Sequence, residues 1–137
     1  MEQILSIQSS VTLGFVGNSV AGPVITRLGH HPLLVDSVKL AAHPGYGLVA
    51  GDKTPDDIFS SILHALPPLG VLPHIGAVIT GYLGAPSQIE PLTKLITAWQ
   101  AERPKGHYVL DPVLGDNGRI YVDKRLVSAM RDQLLPF

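Results

Sequence analysis

A chain of 137 residues with a formal charge of −1, no cysteine and 15% charged residues is about one domain, able to bury roughly two-thirds of the surface its unfolded form exposes. Disulfides and thiolate metal sites are excluded, and there is no cluster of Lys and Arg for tracking nucleic-acid phosphates. No apolar stretch is long enough for a bilayer and no basic-then-apolar leader opens the sequence, so no membrane or nucleic-acid partner is expected, and a cytoplasmic setting is.

Residues 3–9, QILSIQS, carry Ile at alternate places and read as a strand. NSVAGPVITRLG then reads as a helix, with Asn18 or Ser19 as N-cap and Gly29 as C-cap. Pro23 lies in its first turn or two, where a missing N–H costs little. PLLVDSV, 32–38, is a second strand ending at Asp36-Ser37, and residues 39–53, KLAAHPGYGLVAGDK, read as a loop. In TPDDIFSSILHAL, 54–66, Thr54 is the expected N-cap, Pro55 the first helical residue, and Asp56 and Asp57 face the helix dipole. GAVIT, 76–80, is a third strand. SQIEPLTKLITAWQAE, 87–102, is a helix with Ser87 and Glu90 spaced as a capping box. HYVLD, 107–111, is a fourth strand, and DKRLVSAMRDQLL, 123–135, a last helix with Asp123 near its start.

Strands apolar on both faces, alternating with helices, define an α/β protein built on a parallel sheet. Ligands of such sheets bind beyond the carboxyl ends of the strands. The segments there are 9–17, 36–47, 80–84 and 111–118, and each combines Gly with a hydroxyl, an amide, an acid or a His. Turn chemistry alone accounts for any one of them. Their joint placement at one sheet edge points to a ligand site.

Known phosphate loops do not fit. GFVGNSVAG lacks the G-x-G-x-x-G spacing, and in GLVAGDKT Asp52 separates Gly51 from Lys53. Gly14 and Gly17 still allow backbone N–H groups near a ligand. No His-x-x-x-His pair occurs, so zinc is not expected. His43 stands apart from the other histidines because it shares a ligand-edge loop with Pro44, Gly45 and Tyr46. Asp111 closes an apolar strand and is held extended by Pro112, which aims its carboxylate at the crevice; Asp116 follows on the same loop. Two such carboxylates suit magnesium when phosphate oxygens supply the remaining ligands. The plainer alternative is a turn at Asp116-Asn117-Gly118 and a loop cap at Asp111.

The segments SIQSSVTLGFVGNSVA, VDSVKLAAHPGYG, TGYLGAP and DPVLGDNGRIYV resemble, in order and spacing, the pyridoxal kinases of the ribokinase-like superfamily, from about Ile4 to Pro136. Hydroxymethylpyrimidine kinases share the DPV element but not the full set. The resemblance implies a three-layer ribokinase-like fold, a mostly parallel sheet flanked by helices and truncated before the C-terminal ATP-binding half. Residues 1–137 would then be its N-terminal substrate-binding part. The implied activity is ATP-dependent phosphorylation of the 5′-hydroxyl of pyridoxal, and of pyridoxine or pyridoxamine, giving vitamin B6 phosphates such as pyridoxal 5′-phosphate.

By the same resemblance Ser9, Val16, Ser37, His43 and Tyr82 bind the substrate, and Asp111, Asp116 and Tyr121 serve ATP and its phosphates. Asp111 and Asp116 organise Mg2+, with a monovalent cation such as K+ beside it, and a homodimer is the expected assembly. Ser10, Phe15, Ala41-Ala42 and Pro44 depart from the family pattern around the substrate loop. The family's G-x-G-D element, which carries the catalytic base, does not occur in these residues. No catalytic residue is therefore expected in this chain, the base lying beyond Phe137. The polypeptide alone is expected to bind poorly and catalyse little, and to leave an apolar strand edge open as a self-associating truncated form or a portion of a longer protein. Two other readings stand beside this one: a non-catalytic B6-binding or dimerising module, and a hydroxymethylpyrimidine or sugar kinase of the same superfamily.

Overall fold

Apolar alternation in the first two strands carries further than the turn residues around them suggest. In the computed structural model, which describes all 137 residues, β1 spans Gln3–Leu13 and β2 spans His31–Ala42. They pair in parallel up to Leu13 opposite Ala42, where strands ending at Ser9 and Val38 were expected. The extension of β2 gains a second partner, because β3 (Gly51–Lys53) returns antiparallel onto Val38–Leu40. Much of the expected loop 39–53 is thus sheet. Gly51, at φ 105°, permits the approach: a Cβ there would lie 2.1 Å from the Lys39 carbonyl oxygen.

The five-stranded sheet runs β3-β2-β1-β4-β5, with β4 at Ile75–Thr80 and β5 at His107–Leu110. All neighbours are parallel except β2 and β3, so the sheet is mixed and mostly parallel. Leu5, Ile7, Val35 and Val78 point to one face and join Phe59, Leu92, Trp99, Leu126 and others in a cluster of 17 buried apolar residues. That face is covered by α2 (Asp56–Ala65), α3 (Ile89–Glu102) and α4 (Lys124–Ala129), the last continuing through one π turn at Met130–Leu134. On the other face α1 (Asn18–Arg27) lies against β1 and β2. Trp99 pins α3 to the sheet, its Nε1 donating to the Ile75 carbonyl at 2.8 Å inside the core.

The helices stand where the sequence places them, but three of the expected caps are replaced. Gly17, at φ 52°, precedes α1 in the cap position, and neither Asn18 nor Ser19 caps it, because both side chains turn to the strands. Thr54 does not cap α2: its hydroxyl donates to the Asp36 carbonyl at 2.6 Å, and Pro55 takes the cap position. The Ser87–Glu90 box does not close, since Ser87 donates to the Asp56 carboxylate and Glu90 pairs with Lys94; α3 is entered through a 3₁₀ turn at Pro86–Gln88. Asp123 does cap α4, accepting from the Arg125 backbone N–H at 2.8 Å. Gly29, at φ 88°, follows the end of α1 as expected.

Beyond β5 the acidic loop forms a small hairpin, β6 (Gly115–Asp116) and β7 (Arg119–Ile120). Asn117 and Gly118 both have positive φ, 50° and 73°, as a two-residue hairpin turn requires. No strand was expected here, though the Asn-Gly pair marks the turn.

Candidate functional site

A cavity of about 550 Å³ opens at the carboxyl edge of the parallel strands and draws on every loop expected to meet there. Ser9 enters it because β1 and β2 slip register between Gln8 and Ser10, leaving Ser9 outside the ladder. Gly17 closes over Ser9 so tightly that a Cβ would sit 2.0 Å from the Ser9 carbonyl oxygen. Val16, Val38 and Leu40 supply apolar wall.

His43 and Pro44 line the opposite rim. The Nδ1 atom of His43 accepts from the Gly45 N–H at 3.0 Å across a 3₁₀ turn at Pro44–Tyr46. That bond orients the ring and, in the neutral imidazole, leaves the proton on Nε2. Tyr82 and Tyr121 form an aromatic wall, their rings 6.4 Å apart and tilted by 32°. Burial, and to a smaller extent the neighbouring Tyr121, push the Tyr82 phenol above its ordinary range, so it stays neutral and able to donate.

Asp111 follows β5, its N–H donating to the Thr80 carbonyl at 2.8 Å. Its exposed carboxylate borders the cavity and accepts no hydrogen bond within the chain, so the loop-cap alternative is not what the structure contains. Asp116 sits on β6, outside the cavity lining, and accepts from the Asn117 N–H at 2.7 Å. Among the acids and histidines, no group of three or more comes together as a metal site.

Ser37 lies behind the cavity wall and is not among the lining residues. It is fully buried, and its hydroxyl donates to the Tyr82 carbonyl. The Ser37 carbonyl in turn accepts from Gln88 Nε2 at 2.9 Å, while Gln88 Oε1 accepts from the Gly84 N–H at 2.8 Å. Ser37 and Gln88 thereby hold the Tyr82 wall from behind. Six expected site residues, Ser9, Val16, His43, Tyr82, Asp111 and Tyr121, meet at the cavity, and Ser37 and Asp116 do not. Gln8, Val11, Gly17, Val38, Leu40, Pro44 and Val113 complete the lining. The apolar ones carry no signal in sequence beyond ordinary strand composition, whereas the φ-demanding glycine was marked by GFVGN.

No protein-family model matches the chain. A pyridoxine/pyridoxal/pyridoxamine kinase of Bordetella pertussis is 41% identical over 133 residues, which is 96% of this chain and 47% of that protein. A Leishmania donovani pyridoxal kinase in complex with ADP and pyridoxamine superposes with a TM-score of 0.90 at 29% identity, over 98% of this chain and 47% of that one. A Plasmodium falciparum relative with AMP-PNP and PL gives 0.85 at 29% identity, over 97% and 48%. The mostly parallel sheet, its flanking helices and the cavity at its carboxyl edge define a ribokinase-like kinase fold. Within that class the chain is a homologue of the pyridoxal kinases, matching their N-terminal half. It spans about half the length of the curated relatives it matches.

Proposed function

We propose that residues 1–137 are the substrate-binding part of a pyridoxal kinase, and that the cavity takes the pyridine ring of a B6 vitamer whose 5′-hydroxyl receives the γ-phosphoryl group of ATP. The observation that carries this reading is the convergence of Ser9, Val16, His43, Tyr82 and Asp111 on one cavity at the strand ends. The ring is a flat, partly apolar body with polar substituents. Val16, Val38 and Leu40 offer its faces apolar contact, Tyr82 and Tyr121 offer aromatic contact, and the Ser9 hydroxyl and neutral Tyr82 phenol offer hydrogen bonds.

In phosphoryl transfer the protein chiefly positions the reactants and offsets charge. Asp111 is the acid suited to that task, and Asp116 is proposed to act only if the hairpin β6–β7 brings it toward bound phosphate. Mg2+ would supply charge neutralisation between the phosphates, with Asp111 as its protein ligand; K+ is proposed as a further ion. These residues contain no G-x-G-D element, and no group in the cavity is assigned the proton of the 5′-hydroxyl. The proposed activity thus needs that element from outside these residues, and turnover by this polypeptide alone should fall below about 1 s⁻¹, the low end for ordinary enzymes.

Calorimetric titration with pyridoxal, pyridoxine and ATP tests the reading. Vitamer binding that weakens at least tenfold in Tyr82→Ala supports it; a folded protein that binds no vitamer sinks it. Vitamer binding without any ATP binding would favour the non-catalytic binding module, and ATP-dependent turnover on a hydroxymethylpyrimidine in preference to pyridoxal would favour the related kinase.

A further inference from the structure

We infer that Asn18, paired with Asp36, is a positioning residue that sets the shape of the cavity without lining it. Only the ligand-binding half of its test rests on the vitamer reading above.

Asn18 opens α1 and is 3% exposed, yet its amide caps nothing. Its Oδ1 accepts from the Ser6 hydroxyl at 2.8 Å. Its Nδ2 donates to the Val35 carbonyl at 3.0 Å, to Asp36 Oδ1 at 2.8 Å and, more weakly, to the Gln8 carbonyl at 3.4 Å. The other Asp36 oxygen accepts from the Ser10 hydroxyl at 2.8 Å. One side chain therefore joins β1, β2 and α1 where β1 and β2 slip register between Gln8 and Ser10.

That slip is what frees Ser9 for the cavity. Gln8 and Ser9 flank the clamp on β1, Val38 lies two residues past Asp36 on β2, and Val16 and Gly17 directly precede Asn18; all five line the cavity. A carboxamide is the chemistry this position needs, because it offers an acceptor to Ser6 and donors to two acceptors on β2. A carboxylate of the same shape would face the Asp36 carboxylate and the Val35 carbonyl with no donor. An apolar side chain would fill the space but take the Asn18 partner from the Ser6 hydroxyl proton, the Val35 carbonyl and Asp36 Oδ1 in a half-dry site, where unmade bonds cost most.

The test compares Asn18→Asp and Asn18→Ala with Asp36→Asn. In Asp36→Asn the new carboxamide keeps its oxygen on Asn18 Nδ2 and turns its NH2 to the Ser10 hydroxyl, so the pattern survives. Amide hydrogen exchange is read by NMR at residues 8–11, 16–17 and 36–38, with β4 as the internal reference, and pyridoxine affinity is read by calorimetry. Expected for both Asn18 variants is exchange about tenfold or more faster in those three segments with β4 unchanged, and pyridoxine affinity about tenfold lower; Asp36→Asn should stay within about twofold on both. If the Asn18 variants do not fold, Ser10→Ala, which removes one bond of the clamp, should loosen the same three segments by a smaller factor. Exchange that rises equally in β4, or folded variants with unchanged exchange, would overturn the inference. Wild-type protein that binds no pyridoxine would overturn the vitamer reading alone, because the exchange pattern still decides the clamp.

Discussion

At the scale of single residues, Gly17 carries the tightest constraint near the cavity. Its φ of 52° and the 2.0 Å separation of a Cβ from the Ser9 carbonyl oxygen leave no room for any side chain. Gly17→Ala should cost about 1–3 kcal/mol of stability and displace Ser9, checked by chemical denaturation together with vitamer titration; unchanged values in both would mean that β1 at Ser9 is free to move. Tyr82 gives a pH signature. Burial first and Tyr121 second raise its folded pKa, so the folded state holds the phenol proton more tightly than the unfolded chain does. Stability should be undiminished below about pH 10 and fall as pH rises through the folded pKa. Tyr108 adds to the same slope, its phenol raised by burial despite the opposing bond to Thr80. Denaturation between about pH 9 and 11 should show a shallower decline in Tyr82→Phe than in wild type.

At the scale of elements, α4 is short and depends on its first residues. Asp123 accepts from the Arg125 N–H and pairs with the Arg125 guanidinium. The Arg125 side chain first, and its backbone N–H second, hold the Asp123 carboxyl below its ordinary range. The sign follows: this contribution is present above the unfolded carboxylate value of about 3.9 and is lost as pH falls through the lower folded value. Asp123→Ala should lower the thermal midpoint at neutral pH, and the difference should shrink toward zero at about pH 2. A difference that persists undiminished in acid would mean that the carboxylate's charge is not what the cap uses. The hairpin β6–β7 is the other small element near the cavity, and it sets where Tyr121 stands, since the Tyr121 N–H donates to the Leu114 carbonyl at 3.1 Å.

At the scale of the whole molecule, the sheet has two unlike ends. β3 is a three-residue antiparallel strand carrying Asp52 and Lys53, a short charged edge of the kind that resists pairing. β5 is a parallel edge strand with Val109 49% exposed and no strand beyond it. Such an edge offers unpaired backbone groups beside apolar surface. The polypeptide should therefore self-associate with rising concentration, and Val109→Lys should shift it toward monomer in sedimentation velocity. Association unaffected by Val109→Lys would place the contact elsewhere, with the exposed Phe15, Leu48 and Val49 as the other apolar surface.

β3 and the β6–β7 hairpin were not legible in the amino-acid sequence, whereas the order of the four parallel strands and the four helices, the carboxyl-edge location of the cavity and the kinship with pyridoxal kinases were. Each rests on local pattern: apolar runs such as GAVIT and HYVL, amphipathic α3, and glycines and acids at fixed offsets from strand ends. The tertiary structure decided how far β1 and β2 extend, because their last residues pair with each other, as Leu13 does with Ala42, and β3 adds a second ladder along Val38–Leu40 of β2. It also decided what each polar side chain does. Ser37 and Tyr82 stand 45 positions apart, yet the Ser37 hydroxyl donates to the Tyr82 carbonyl. Asn18 looked like a helix cap and became a clamp on Val35 and Asp36. Hydrophobic period is a property of neighbours along the chain, whereas a hydroxyl or an amide bonds to whatever the fold brings within about 3 Å.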